Sequence, residues 1–420
     1  MLAALCCGAA LAADFDIRDY GAVADGKTMN SAAIEAAVQA CVDAGGGRVV
    51  VDGGTFLSGP IRLYGGIELH VAKGSTLLAS PHLKDFPEWR DVRHIVHPEA
   101  LPRRRNASFI FADEAVGLKI TGDGVIDGNG ENFVRRKSNP NWFGWEFERC
   151  VGPTESLPRL VFLVGCSNVV VRGITIAHPP AGWSTWFHDC DNLLVEGVKV
   201  KADVRYPNND GIHVNSCRDV VVRNCDLETG DDAIVVRANN RSLADNKVCE
   251  RVTISNCTVR SWASGIRIGW TNDGVIRNCR FRDIRMRDCS NGVSLALPRV
   301  GGWNAYDYGR EPTRFEDILF EDIAMDGIYG RPIYGFVESA ALGTLCDGFH
   351  GVRFRNVTAC CLEGPLFVGR ADAVVRISLC NCKFIRVPES TLPNFRRHGA
   401  AAWDRMPGRK SRHYEVLEEE

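Results

Sequence analysis

The sequence has no excess of charge of either sign: 50 Lys and Arg stand against 52 Asp and Glu, a formal net charge of −2. It therefore lacks the basic surface that nucleic acid requires and the acidic tract of a solvated tail. No internal stretch approaches the roughly 18–20 apolar residues of a membrane span, so none is expected. Helical periodicity is almost missing too. One segment, Thr28 to Gly47, places Ile34, Ala37, Val38 and Cys41 on one face before glycines stop it. Although there are 17 cysteines, no C-x-x-C pair occurs, which argues against a metal centre. Neither metal nor cofactor is expected.

What is present suits a folded chain: 45% hydrophobic residues, with 42 glycines available for tight corners. The first residues, MLAALCCGAALAAD, form a short apolar run ending in A-x-A at Ala10, Leu11 and Ala12. We read residues 1–13 as a signal peptide, which implies a secreted or periplasmic protein.

One phrase then repeats. Its copies read CSNVVVRGITIAH, CDNLLVEGVKVKA, CRDVVVRNCDLET, CERVTISNCTVRS and DGVIRNCRFRDI. Aligning Val169, Leu193, Val220, Val252 and Val275 gives steps of 24, 27, 32 and 23 residues. Each copy holds short alternating strands broken by Gly, Asn or Asp, and strands this short cannot bury a face alone. Coiling the chain so that equivalent strands stack in parallel solves that, with inward residues forming ladders. The fold class is therefore all-β: a single-stranded right-handed parallel β-helix over residues 14–387. The helical segment is placed as its N-terminal cap, and residues 388–420, where the phrase stops, as a C-terminal cap or tail. Asn168, Asn192, Asn224, Asn256 and Asn278 fall at turns, where left-handed backbone and bonds to the next coil are expected. Cys225, Cys257, Cys279 and Cys382 each follow an Asn and are expected in one interior column rather than in disulfides.

Three carboxylates stand out, in YPNNDGIHVNSC and LETGDDAIVVR. Asp210 and Asp231 are 21 residues apart, close to one coil, so Asp210 and the Asp231–Asp232 pair share a face. Acids this close repel, which raises at least one pKa and suits a group that must hold a proton near neutrality. Isolated, either motif reads as solvated turn carboxylates. One coil apart, with Tyr206, His213 and Arg237 nearby, they read as a catalytic set.

The chain resembles glycoside hydrolase family 28, the polygalacturonase family, along nearly its whole length. DIRDYGAVADGKTMNSAAIEAA is similar to the family's N-terminal cap and ITGDGVIDGNG to its G-x-G-x-I-D-G-x-G coil. Asn208 to Ile212 matches the N-[TN]-D-G-[IL] motif, and Gly230-Asp231-Asp232 matches G-D-D. The resemblance implies a pectin-lyase-like solenoid and inverting hydrolysis. Asp231 would then protonate the leaving oxygen while Asp210 and Asp232 polarise a water, with acid and base about 6.5–9.5 Å apart. The sequence departs from the family at two motifs. Where the family has G-H-G, WASGIRIGW places Ser264; where it has R-I-K, NGVSLALP places Ser294 and Ala296. The His that supports the acid and two cations that grip a substrate carboxylate are missing.

The catalytic candidates are thus Asp210, Asp231 and Asp232. The substrate-binding candidates are Asn208, His213, Arg237, Arg267 and Trp270, with Arg267 or Arg237 as substitute anchors and Trp183, Trp186, Trp262 and Trp303 as further sugar platforms. The partner expected is a polysaccharide or oligosaccharide of pectic or related type, bound by a monomer. Insertions at His94 to Arg105 and Glu131 to Leu157 are expected to wall the groove. Two alternatives stay open on the same architecture, a pectate-lyase-like β-eliminase and a non-catalytic carbohydrate-binding β-helix.

Overall fold

The computed structural model describes residues 13–98, 101, 106–138, 146–151, 157–270, 273–297, 313–337, 346–368, 374–392 and 415–418. The leader expected at residues 1–13 lies almost wholly outside these, as do Trp303 and parts of both insertions.

The strands coil into a parallel β-helix with three faces. One face runs through Gly47–Val51, Ile67–Val71, Ser167–Arg172, Asp191–Glu196 and Arg218–Arg223. The next runs through Thr175–Ala177, Lys199–Lys201 and Asp226–Thr229. The third runs through Ser108–Asp113, Arg159–Val164, Thr185–His188, Ile212–Asn215 and Ile234–Arg237. From Cys249 onward the strands bend continuously through the corners, as in Cys249–Ile268 and Val275–Leu297.

Alternation decides what lies inside. Val171, Val195, Val222, Ile254, Phe281, Phe320 and Phe354 stand in one register column, each at most 1% exposed. The helix Ser31–Asp43 covers the first coil with the face formed by Ile34, Ala37, Val38 and Cys41, which shields strand edges from pairing. The turn asparagines all adopt left-handed backbone, with φ between 50° and 58°. Asn192 donates to Asn168 at 2.5 Å, and Asn256 to Asn224 at 2.8 Å.

Two register expectations need correction. Val252 stacks on Cys279, not on Val275, because Ile254 pairs with Phe281; that coil is 27 residues long rather than 23. The misreading came from aligning Asn278-Cys279 with Asn256-Cys257, when Cys279 takes the inward position that Val252 holds one coil earlier. For the same reason Cys279 lies outside the column of Cys225 and Cys257, while Cys166, Cys190, Cys217 and Cys249 form a second column. The described cysteines are free thiols. The strand Glu415–Glu418 pairs in parallel with Val374–Cys380, so the tail adds to the coil beyond residue 387. No described helix is long and apolar enough to cross a membrane.

Candidate active site

On the third face the side chains of Phe187, Val214, Val236, Ile268 and Leu295 point inward in register. The neighbouring positions point outward. They run Trp186, His213, Val235, Arg267, Ser294 and Tyr334.

Just before two of these strands stand the carboxylates. Ile212 pairs with Ile234, which sets Asp210 beside Asp232, with Asp231 one residue earlier. The glycines of the two motifs allow this close approach: a Cβ on Gly211 would fall 2.3 Å from the Ala233 carbonyl, and one on Gly230 2.3 Å from that of Tyr206. Hydroxyls from the same and from adjacent coils fix the backbone. Ser184 donates to the Asp210 carbonyl at 2.7 Å, and Thr229 and Ser261 donate to that of Asp231 at 2.6 and 2.7 Å. One oxygen from each of the three carboxylates lies within 4.8 Å of the others.

The three environments differ. Asp231 accepts hydrogen bonds from the backbone N–H of Asp232 at 2.9 Å and from that of Asn208 at 3.3 Å. Burial, then the charges of Asp210 and Asp232, push its carboxyl well above the usual range, against a smaller opposing pull from Arg267. It therefore holds a proton where an ordinary aspartate has lost one. Asp232 accepts from the Ser264 backbone N–H at 3.0 Å and is ion-paired to Arg267. Asp210 is hydrogen-bonded to His213 Nε2 at 2.9 Å. Burial, followed by the nearby cation Arg237, drives His213 well below its ordinary value; the ring is neutral and donates to the carboxylate. A carboxylate cluster of this spacing also fits a cation, with Arg267 beside Asp232 offsetting part of its negative charge. The set suits acid–base work.

The other candidates divide. Asn208, in left-handed backbone with φ 53°, orients Asp231 through its backbone and side chain. Trp270 lies over Arg267, whose guanidinium carbon is 3.7 Å from the ring centroid. Arg237 is turned to Asp273, with contacts of 2.6 to 2.9 Å from Nε and Nη2; its charge is matched inside the protein. Ser264 and Ser294, the two departures from the family pattern, bond to each other at 2.8 Å, and both are buried. Trp186 and Trp262 are packed rather than displayed, each 3% exposed. The sequence reading missed Ser184, Thr229 and Ser261, and gave no role to the stacking of Trp183 on His213, with ring centroids 4.1 Å apart.

The profile of glycosyl hydrolases family 28 matches residues 101–358, a span holding all three aspartates. The chain belongs to this family. It is a glycoside hydrolase with a polygalacturonase-like scaffold. A probable polygalacturonase of Vitis vinifera is 26% identical over 284 residues, covering 66% of this chain and 55% of that protein's length. This chain thus spans about half of that relative. An exopolygalacturonase of Arabidopsis thaliana is 24% identical over 353 residues, 82% of this chain and 71% of the other. The crystal structure of a hyperthermoactive exopolygalacturonase from Thermotoga maritima matches with a TM-score of 0.67 at 22% identity, covering 89% of this chain and 87% of that one. That likeness supports the right-handed parallel β-helix.

Proposed function

We propose that this family 28 enzyme hydrolyses a pectic or related plant polysaccharide or oligosaccharide with inversion, and that Asp231 is its acid. The observation that carries this is the placement of buried Asp231 between two other carboxylates, where burial and their charges favour its protonated form. As the glycosidic C–O bond breaks, charge gathers on the leaving oxygen, and Asp231 gives that oxygen its proton. Positive charge grows on the anomeric carbon, facing Asp210 and Asp232. These polarise a water whose oxygen bonds to that carbon; its proton passes to the carboxylates and restores Asp231.

The oxygens lie closer than the acid–base spacing of about 6.5–9.5 Å that a lone pair of residues would need. Asp232 follows Asp231 directly and stands one strand from Asp210, so the three share one edge. Inversion remains the favoured reading because neither base is placed as a nucleophile. His213 binds one, and Arg267 with the Ser264 N–H binds the other. Ser294 and Ala296 put neutral residues where the family's cations stand, which supports a substrate other than plain polygalacturonate.

The test is a panel of pectic oligosaccharides followed by proton NMR in deuterated water. Hydrolysis should release the inverted anomer first, without the absorbance of an unsaturated product. A retained anomer would make one aspartate a nucleophile, and an unsaturated product would point to elimination.

A further inference from the structure

From Trp186 to Tyr334 the outward ladder of the third face carries one cation, Arg267. Its register neighbours, Val235 and Ser294, are uncharged. The strand that holds it is anchored by Ile266 and Ile268, which point inward and are fully buried. Gly269 then turns with φ 77°, left-handed backbone that suits glycine, and its N–H donates to the Val236 carbonyl at 2.9 Å. That turn folds Trp270 back over the guanidinium, whose carbon is 3.7 Å from the ring centroid. Only 18% of the Arg267 side chain is left exposed.

What this arginine holds is Asp232. Its Nη1 donates to Asp232 Oδ2, while the N–H of Ser264, earlier on the same strand, donates to Asp232 Oδ1 at 3.0 Å. Each carboxylate oxygen therefore has one donor from the next coil, which fixes both the place and the plane of the group. The Asp232 side chain is 3% exposed, and a buried carboxylate deprived of its counter-ion is costly. Among the described residues no other cation pairs with it. Arg237 is turned to Asp273. Arg159 lies against Trp186 and Trp183, its guanidinium carbon 4.3 and 4.8 Å from their ring centroids.

We propose that Arg267 is a positioning residue and not a grip on the substrate: it fixes Asp232 as the base that receives the water's proton, and other groups bind the sugar chain. The proposal rests on the hydrolase reading above. An arginine that anchors a sugar carboxylate offers it two parallel N–H donors. Here Nη1 is committed to Asp232 and the flat face to Trp270. Turning the guanidinium toward a substrate would leave Asp232 unpaired just when its alignment is needed. A catalytic group displaced by about 1 Å loses about 10²-fold in rate, so the arginine acts on kcat through Asp232.

The experiment compares Arg267→Met and Arg267→Lys with the parent on de-esterified and methyl-esterified pectic oligosaccharides, below the unfolding transition of each. Arg267→Met should lower kcat roughly 10- to 100-fold on both substrates, with KM nearly unchanged. Arg267→Lys should recover part of the loss. Millimolar guanidinium added to Arg267→Met should recover more, while urea, similar in shape but uncharged, should recover none. A KM that rises on the de-esterified substrate alone, with kcat kept, would make Arg267 an anchor and overturn the proposal. Equal rescue by urea would overturn it too, since filling space would then suffice. If the methionine variant fails to fold, the lysine variant carries the same division between kcat and KM. A parent that releases no sugar would count against the hydrolase reading instead. Positioning is then judged by crystal structures of Arg267→Met with and without guanidinium. An Asp232 carboxylate that leaves the Ser264 N–H and returns when guanidinium binds supports the proposal; one that keeps its place in both overturns it.

Discussion

At the scale of single residues, the proposed chemistry depends on three identical side chains meeting three different environments. Asp231 has burial and two like charges, Asp232 has Arg267, and Asp210 has a neutral His213. Asp231→Asn keeps the shape and removes the proton donor, so kcat should fall by about 10²–10⁴-fold with little change in KM. In the parent enzyme the alkaline limb of the pH–rate profile should lie above the ordinary carboxylate range, since Asp231 must stay protonated. The same shift bears on stability. A carboxyl whose folded pKa is raised contributes stability that is full below its unfolded value and lost as pH rises through the folded one. Asp231→Asn should therefore unfold at a higher temperature than the parent at alkaline pH, as calorimetry would reveal. His213→Phe retains a ring against Trp183 but cannot donate to Asp210. A hydrogen bond to a charged group is worth about 1.5–3 kcal/mol, so kcat should drop roughly 10- to 100-fold. An unchanged kcat would remove His213 from the machinery. The aspartates were legible in the sequence because two consecutive repeats each carried an acid at nearly the same phase. Ser184, Thr229 and Ser261 were not: Ser184 and Ser261 act on carbonyls in neighbouring coils, Thr229 on one two residues further on, and nothing local distinguishes any of them from a turn serine or threonine. Arg237 was legible as a charge near the site; that Asp273 would match it was not, because the two are 36 residues apart.

Elements explain which parts of the fold could be read. The solenoid was legible because each repeat alternates with period two and closes on Asn or Gly, and the turn asparagines obey that pattern coil after coil. The register was harder to read: Cys279 takes an inward position that valine or isoleucine fills in other coils. Residues 86–98 were legible only from His94 onward, as the start of an insertion, since they have neither helical nor strand period; Trp89 among them stacks on Phe111 of the third face. Their clasp on Asp189, with which His94 and Lys247 both pair, carries its own pH dependence. The hydrogen bond to Asp189 raises His94 above the usual histidine value. Burial pushes Asp189 up, but His94 and Lys247 outweigh it and hold that carboxylate below its usual value. Asp113, Glu114 and Asp191 also face the cluster, while His188, held to about 3 by burial, stays neutral. The His94 contribution is full below the unfolded histidine pKa and is lost as pH rises through the raised value. The Asp189 contribution is present above the unfolded aspartate pKa and is lost as pH falls through the lowered one. The clasp is thus tightest between those limits. The protection of the residue 93–97 amides, taken relative to their intrinsic exchange rates, should be highest there and fall above the His94 value; a flat protection profile would show that Lys247 and the Ser242 carbonyl, which accepts from the Val96 and His97 N–H groups, suffice.

For the whole molecule, stacking coils makes stability nearly local, since each coil touches only its neighbours. The column Phe281, Phe320 and Phe354 illustrates the consequence. Successive ring centroids are 4.7 and 4.6 Å apart, and the planes lie 15° and 6° from parallel. Phe320 is fully buried, and its coil lies beyond those that carry the aspartates. Phe320→Ala removes a ring packed on both sides and should cost about 3–5 kcal/mol, read from chemical denaturation. Because no catalytic side chain contacts that column, kcat measured well below the unfolding transition should stay within about twofold of the parent. Loss of activity at low temperature, with the coil still folded by circular dichroism, would mean that strain travels along the solenoid to Arg267 and Asp232. Nearest-neighbour stacking predicts the opposite separation: a molecule whose later coils can be weakened severely while the Asp210–Asp231–Asp232 edge, fixed by its own two coils and their immediate neighbours, keeps its geometry.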